Sequence, residues 1–135
     1  TQYTPKKRSF LKSKGAYCVA VIGHQDGPVM VTSCPDLKPK LSLIRAHNFV
    51  DVELVHVLWC PGRPVADRIE RLAKAGLEDE GQALHGDWFR VTAAKAIEGI
   101  SAASRRAYPN LQGLKTHAEM ISDLQDMPID RRDHR

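Results

Sequence analysis

Residues 17–32 have the pattern of a β-hairpin. An apolar run over residues 17–22, rich in β-branched side chains and stopped by Gly23, predicts a strand. The pair Asp26-Gly27 is a turn signal, and residues 29–32 form a second short β-type run. We therefore expect two antiparallel strands joined by a tight turn.

The spacing of apolar residues then changes from strand-like to helix-like and back. Leucine and isoleucine at helical spacing predict a helix over 37–46, with Asp36 as its N-cap, and residues 50–59 predict a third strand. That strand is apolar on both faces and is expected to be central. Strict alternation assigns Val52, Leu54, His56 and Leu58 to one face, and Val55, Val57 and Trp59 to the other.

The second half of the chain predicts further helices. Apolar residues at i, i+4, i+7 and i+8, starting at Val65, predict a second helix. Residues 76–86 are expected to be a loop or a helix end. Thr92 can cap a third helix, after a short aromatic segment in which Trp88 is expected to pack against that helix. Apolar positions over 114–127 predict a last amphipathic helix, followed by a charged tail.

These elements predict an α/β (α+β) fold with a small, mainly antiparallel three-stranded sheet flanked by helices. The expected organisation is a basic N-terminal arm at 1–14, a domain at 15–107, and a C-terminal helix with its tail at 108–135. With 135 residues, 42% of them apolar, the chain suits one soluble domain. No apolar run is long enough to span a membrane, and no secretory signal is found.

The cysteines support a cytoplasmic location. Cys18, Cys34 and Cys60 are odd in number and widely spaced, as expected of free thiols in a reducing compartment. Cys18 and Cys34 fall in or beside apolar strands and are expected to be buried and inert. His56 and Cys60 share a strand face, but without a close Cys or His pair the spacing argues against zinc. Motifs of serine hydrolases, nucleotide triphosphatases and dinucleotide-binding folds are absent.

Charge is unevenly distributed. The formal net charge is +4, yet residues 1–15 carry five basic and no acidic side chains, so the remainder sums to −1. Such an arm is either a phosphate-binding device or a solvated terminus, and the sequence favours neither. The arm's basic residues are Lys6, Lys7, Arg8, Lys12 and Lys14.

Two short segments carry a family resemblance. Residues 86–89 read Gly-Asp-Trp-Phe and precede a predicted helix, and residues 15–19 place Tyr17 at the start of the first strand. With the order strand, turn, strand, helix, strand, helix, these segments resemble the GIY-YIG endonuclease superfamily, in particular its phage-type branch with a Gly-Glu-Trp-Phe signature. The resemblance covers about residues 15–100.

The resemblance implies a site for phosphodiester cleavage. Tyr17 falls on a family tyrosine, Lys40 on the helix arginine and Glu70 on the glutamate that binds Mg²⁺ or Mn²⁺. The second tyrosine falls on Met30 and a glycine on Thr32, and a thioether can neither transfer a proton nor carry charge. We therefore expect a degenerate, non-cleaving relative without a cofactor.

The expected function is nucleic-acid binding, with DNA favoured over RNA. The basic arm, together with Lys38, Lys40 and Arg45, would hold phosphates. The alternatives are a metal-dependent endonuclease that uses Tyr17, Lys40 and Glu70, and a protein-interaction module that binds a partner or a second copy through residues 114–127. Structural roles are equally open to two of these residues: Tyr17 as a half-buried strand aromatic, and Glu70 as an ion-pair partner of Lys74.

Overall fold

The computed structural model describes residues 4–46, 52–84, 86–110, 114–116 and 119–120. Within them the fold is α+β, as the sequence predicts, with four helices and an antiparallel sheet. The helices are α1 (Pro5–Ser13), α2 (Leu37–Ala46), α3 (Arg63–Asp79) and α4 (Ala93–Ala107). The strands are β1 (Tyr17–Gly23), β2 (Val29–Cys34), β3 (Glu53–Cys60), β4 (Trp88–Phe89) and β5 (Lys115–Thr116).

The sheet has the order β4-β2-β1-β3-β5, with every adjacent pair antiparallel. The three long strands are the predicted ones. The centre of the sheet is β1, whereas β3, which the sequence predicts to be central, is an interior strand between β1 and β5. Two-residue strands extend both edges, so the sheet has five strands where the sequence predicts three. Edge pairing of this kind satisfies backbone groups that an open edge would leave to solvent.

Helices cover the two sides of the sheet and enclose two apolar cores. On one side, α3 and α4 pack on β1 and β2; this α3–α4 core contains Val19, Val21, Val29, Val31, Cys60, Ala66, Ile69, Ala73, Leu77, Phe89, Ala93, Ala96, Ile100 and Ala103. On the other side, α1 and α2 pack on the sheet; this α1–α2 core contains Leu11, Ala16, Cys18, Ala20, Ile22, Cys34, Leu37, Ile44, Val52, Val57 and Trp59.

The N-terminal segment is not an extended arm. Pro5 occupies the first turn of α1, and the Thr4 hydroxyl caps the helix by accepting a hydrogen bond from the Lys7 backbone N–H at 3.3 Å. Leu11 is buried, with Phe10 packed beside it, so α1 is part of the folded domain. The sequence pattern misses this helix because only two apolar side chains stand among its charges.

A bulge in β3 corrects the predicted face assignment. Val21 pairs with His56, but Ile22 pairs with Leu54, so Val55 is an extra residue opposite β1. The extra residue inverts the alternation on its N-terminal side. Leu54 therefore packs with Val57 and Trp59 in the α1–α2 core, whereas Val55 packs against the α3–α4 core.

The aromatic pair on β4 divides between the two cores. Phe89 is fully buried in the α3–α4 core beside Ala93, whereas Trp88 packs against the α1–α2 core. The prediction that Trp88 packs against α4 is therefore wrong, because neighbouring strand residues point to opposite faces and Phe89 takes that place.

The hairpin turn is seated on the start of α4. The Gln25 carbonyl accepts a hydrogen bond from the Ala93 backbone N–H at 2.9 Å. Gly27 has a φ of +81°, and a Cβ atom there would overlap the carbonyl group of Val91. Glycine is needed at this turn both for its backbone conformation and for this close approach.

Of the predicted C-terminal helix over 114–127, residues 115–116 form β5 instead, pairing with Leu58 and Trp59 of β3. Residues 119–120 are helical, and 121–127 lie outside the described residues. Helix α3 extends to Asp79, into the stretch predicted as a loop or helix end.

Candidate nucleic-acid interface

Helices α1 and α2, with Lys14 at the end of α1, carry all the predicted phosphate-binding residues on the same side of the sheet. Leu11, Leu37 and Ile44 anchor the two helices in the α1–α2 core, which turns their polar positions away from the sheet. We call the resulting surface the basic face. It consists of Lys6, Lys7, Arg8, Lys12, Lys14, Lys38, Lys40 and Arg45.

The basic face has a strong charge imbalance. Segments 4–16 and 35–46 contain its eight basic residues and one acidic residue, Asp36. Lys6, Lys12, Lys14, Lys38 and Arg45 are exposed, whereas Lys7, Arg8 and Lys40 are partly buried. The five exposed members place positive charge at the surface of these two segments.

Asp36 fixes α1 to the start of α2. Its carboxylate accepts two hydrogen bonds from the Arg8 guanidinium, at 3.0 and 2.7 Å, and lies 4.0 Å from the Lys12 ammonium. It also accepts from the Lys38 backbone N–H at 3.2 Å, which makes it the N-cap that the sequence predicts for α2. Arg8 is thus paired within the chain, and its place in the basic face is structural as well as electrostatic.

Two other members of the basic face make contacts of their own. The Lys14 ammonium lies 5.7 Å from the centre of the Phe10 ring, and the Arg45 Nε donates to the Val52 carbonyl at 3.4 Å. Both contacts leave the charge exposed. They orient the side chains rather than neutralise them.

The structure places the three predicted catalytic residues on two sides of the sheet. Tyr17 packs against the α3–α4 core, and Glu70 lies on α3, whereas Lys40 lies on α2 beneath the opposite face. The Arg63 guanidinium lies 6.0 Å from the centre of the Tyr17 ring. Tyr17 is therefore a half-buried strand aromatic with a cationic neighbour.

Glu70 is bound to a cation of its own chain. Its carboxylate accepts a hydrogen bond from Lys74 at 3.1 Å, which is the i, i+4 ion pair expected from the sequence. Lys74 also donates to Asp87, the second residue of the Gly-Asp-Trp-Phe segment. Burial works to lower the pKa of Lys74, but the hydrogen bonds to Asp87 and Glu70 outweigh it and raise that pKa.

This ion pair bears on metal binding. A divalent cation at Glu70 would have to replace the Lys74 ammonium, which already neutralises the carboxylate. Among the residues that the structure describes, no cluster of three or more His, Cys, Asp or Glu side chains has the arrangement of a metal site. Lys74 and Asp87 therefore give Glu70 a structural role that links α3 to β4.

The sequence does not predict a polar cluster that joins α3 to β2. Asp67 on α3 accepts a hydrogen bond from the Ser33 hydroxyl at 3.1 Å and one from the Arg63 Nε at 3.2 Å. The Arg63–Asp67 part follows from i, i+4 spacing and could have been predicted. Ser33 lies on β2, and only the packing of α3 on the sheet brings it to Asp67.

Comparisons with known proteins leave the family open. No family model matches the sequence, and neither the curated proteins nor the solved structures contain a significant match. Within the described part of the chain, none of the helices combines the length and apolar character needed to cross a bilayer.

Proposed function

We propose that this protein binds nucleic acid, DNA before RNA, through the basic face, on a GIY-YIG-like scaffold that does not cleave. The observation that carries the proposal is the charge imbalance of α1 and α2, with eight basic residues and one acidic residue on one side of the sheet. Cations that contact phosphates release condensed counterions, and this release drives binding at low salt.

Charges on the basic face suit a polyanion better than a small anion. They are spread over two helices rather than gathered in one cavity, and five of the eight residues are exposed. Contacts to phosphates carry no sequence information, so we expect binding that tolerates many sequences.

Two observations support loss of cleavage. Glu70 is neutralised by Lys74, and Lys40 is carried by a helix on the opposite side of the sheet from α3. The resemblance implies that a tyrosine, a cation and a metal-binding carboxylate surround one phosphate in a relative that cleaves. In this chain Met30 and Thr32 also stand where the resemblance implies a tyrosine and a glycine.

The test is the affinity for a fluorescent DNA duplex, measured by anisotropy from about 50 to 300 mM salt. We expect a steep loss of affinity with salt. Replacing Lys12, Lys38 and Arg45 together by Gln should reduce the slope of log affinity against log salt by about 2–3, roughly one unit for each lost phosphate contact.

The matched control replaces three exposed arginines on the other side of the sheet, Arg71, Arg105 and Arg106, by Gln. It removes the same charge from the whole protein and should leave most of the affinity intact. Equal losses in the two triple variants would contradict the basic face as the interface. A parallel RNA duplex tests the preference for DNA.

Cleavage is tested separately with supercoiled plasmid and Mg²⁺ or Mn²⁺. We expect no nicking above the background of Glu70→Ala. Metal-dependent nicking that disappears in Glu70→Ala would replace the binding proposal by the endonuclease alternative.

A further inference from the structure

Two cysteines face each other across the hairpin. Cys18 on β1 and Cys34 on β2 are directly paired in the antiparallel register, and both are buried. Their Sγ atoms lie 3.6 Å apart, and the Cys18 thiol also lies 3.3 Å from the Cys34 carbonyl oxygen, to which it can donate. The third cysteine, Cys60, is on β3 and packs in the α3–α4 core on the opposite face.

The surroundings of Cys34 favour its thiolate. A hydrogen bond from Cys18 has the largest effect and lowers the pKa of Cys34. Burial and the Asp36 carboxylate raise this pKa, the Lys40 ammonium and the Asp36 backbone N–H lower it, and the net shift is downward. The same contact with Cys34, together with burial, raises the pKa of Cys18. Burial raises the pKa of Cys60 to about 12. The three thiols are therefore chemically distinct.

Paired positions in an antiparallel sheet suit a disulfide. Directly opposed residues have Cα atoms about 4.5–5.5 Å apart, which lies within the range that disulfides span. Cys18 and Cys34 are partners of this kind, so their sulfur atoms need only approach each other by side-chain rotation.

We propose that Cys34 and Cys18 are a redox-active pair, in which Cys34 reacts with a hydroperoxide and Cys18 then closes a cross-strand disulfide. This inference concerns a modification site and does not depend on nucleic-acid binding.

The reaction balances with hydrogen peroxide as the oxidant. The Cys34 thiolate attacks one peroxide oxygen, the O–O bond breaks, and the departing hydroxide takes a proton to become water, leaving a sulfenic acid. Cys18 then gives up its proton and attacks the Cys34 sulfur, and the sulfenic oxygen leaves as a second water. Two thiols are oxidised and one peroxide is reduced.

The order of the two steps follows from the hydrogen bond between the thiols. The Cys18 thiol can donate a hydrogen bond to the Cys34 sulfur, and this contact lowers the pKa of Cys34 and raises that of Cys18, so we assign Cys34 as the first of the two to lose its proton. Oxidation of Cys34 removes the charge. Cys18 is then the nucleophile at closest range, whereas Cys60 points to the other face of the sheet.

The experiment treats the folded, full-length protein with hydrogen peroxide, blocks the remaining thiols with an alkylating agent and maps the products by mass spectrometry. Trypsin leaves Cys18 and Cys34 in one peptide, residues 15–40, and Cys60 in another. We expect the first peptide to become two hydrogens lighter. Further cleavage before Asp26 separates the cysteines in sequence, so the two halves should remain linked until a dithiol reductant is added.

Three measurements keep the proposal open to refutation. Cys34 should be consumed on the order of tenfold faster than Cys60, and the linked product should still form in Cys60→Ala. In Cys18→Ala, Cys34 should stop at the sulfenic acid, which dimedone traps. Circular dichroism establishes that each variant is folded.

The wild-type protein alone can overturn the proposal. If Cys18 and Cys34 both remain alkylatable after peroxide treatment, or if Cys60 is consumed as fast as Cys34, the pair is not redox-active. Trp59, which pairs with Cys18 on β3, gives an independent signal, because its fluorescence should fall when the neighbouring disulfide forms and recover on reduction.

Discussion

The two sides of the sheet carry the same number of basic residues but differ in how these charges are neutralised. The α3–α4 side, residues 63–80 and 86–107, has eight basic and seven acidic residues, whereas segments 4–16 and 35–46 have eight and one. On the first side ion pairs form within the chain, such as Lys74 with Glu70 and Lys95 with Glu80. On the second side Arg8 and Lys12 share one carboxylate, that of Asp36.

The comparison teaches that net charge is a poor guide to a binding surface. The formal charge of the whole chain is only +4, because these two sides together carry +8 and the remaining residues contain four more acidic than basic side chains. A ligand meets one side at a time, and the potential it experiences falls off over about 8–10 Å at physiological salt.

The largest expected effect compares the loss of stability when one aromatic side chain is removed from each of the two cores. Phe89→Ala removes a fully buried ring from the α3–α4 core and should lower the free energy of unfolding by about 3–5 kcal/mol. Trp88→Ala removes a partly exposed ring from the other core and should cost roughly half as much. Urea unfolding measures both, and equal costs would contradict the difference.

The second prediction concerns Asp36, the one acidic residue in the two segments that carry the basic face. Asp36→Ala removes the two hydrogen bonds to Arg8 and the cap of α2, and should cost about 2–3 kcal/mol of stability. Its control is Asp67→Ala on the other side, which loses an exposed Arg63 partner and the hydrogen bond from Ser33 and should cost about 1 kcal/mol. The free energies of unfolding decide between them.

Asp36→Ala also sharpens the comparison through binding. It removes the only negative charge from the two segments that form the basic face, so the affinity of the folded variant for DNA should rise rather than fall. A loss of affinity in a variant that is still folded would show that Asp36 orients the interface.

The third prediction tests the internal neutralisation on the α3–α4 side. Lys74→Met leaves the carboxylates of Glu70 and Asp87 without their ammonium partner and should cost about 1–2 kcal/mol. Lys95→Met breaks an exposed pair and should cost less than about 0.5 kcal/mol. Because the pKa of Lys74 is raised, its contribution is complete below the ordinary lysine pKa and is lost as the pH rises above it.

The smallest expected effect is a pH dependence from His56 on β3. Burial lowers the pKa of His56 in the folded protein, so on acidification the unfolded chain takes up this proton first. Stability should therefore fall as the pH drops from about 7 to 5. His56→Gln should show a shallower decline in urea unfolding, and an identical decline would contradict the role of His56.

Local sequence signals predict much of this fold. The turn at Asp26-Gly27, the helix over 37–46 and the cap at Thr92 all appear where their patterns indicate. Features that depend on distant partners are missed: β5 needs the open edge of β3, and α1 needs a core for its two apolar residues. The sequence does not indicate the bulge at Val55. The bulge exchanges the sheet faces that strict alternation assigns to Leu54 and Val55.

The candidate site also combines features that local sequence predicts with features that depend on distant residues. The residues of the basic face can be listed from the sequence, but their assembly on one side of the sheet depends on Leu11 of α1 and Leu37 and Ile44 of α2 joining the same core. Cys18 and Cys34 carried a usable signal, since each is eight residues from Asp26 and a hairpin centred there pairs them. Pairing of Ser33 with Asp67 carried none, because no local pattern links a strand serine to a helix 34 residues away.

The contact between the hairpin turn and the start of α4 has a consequence for folding during translation. The turn around Gly27 is translated long before Val91 and Ala93, the residues whose backbone it meets. A nascent chain can therefore form the hairpin early, but the hydrogen bond from Ala93 to Gln25 forms only after the start of α4 has left the ribosome. Fragments that stop short of residue 91 lack this contact, so we expect them to hold the hairpin turn less firmly than the full chain does.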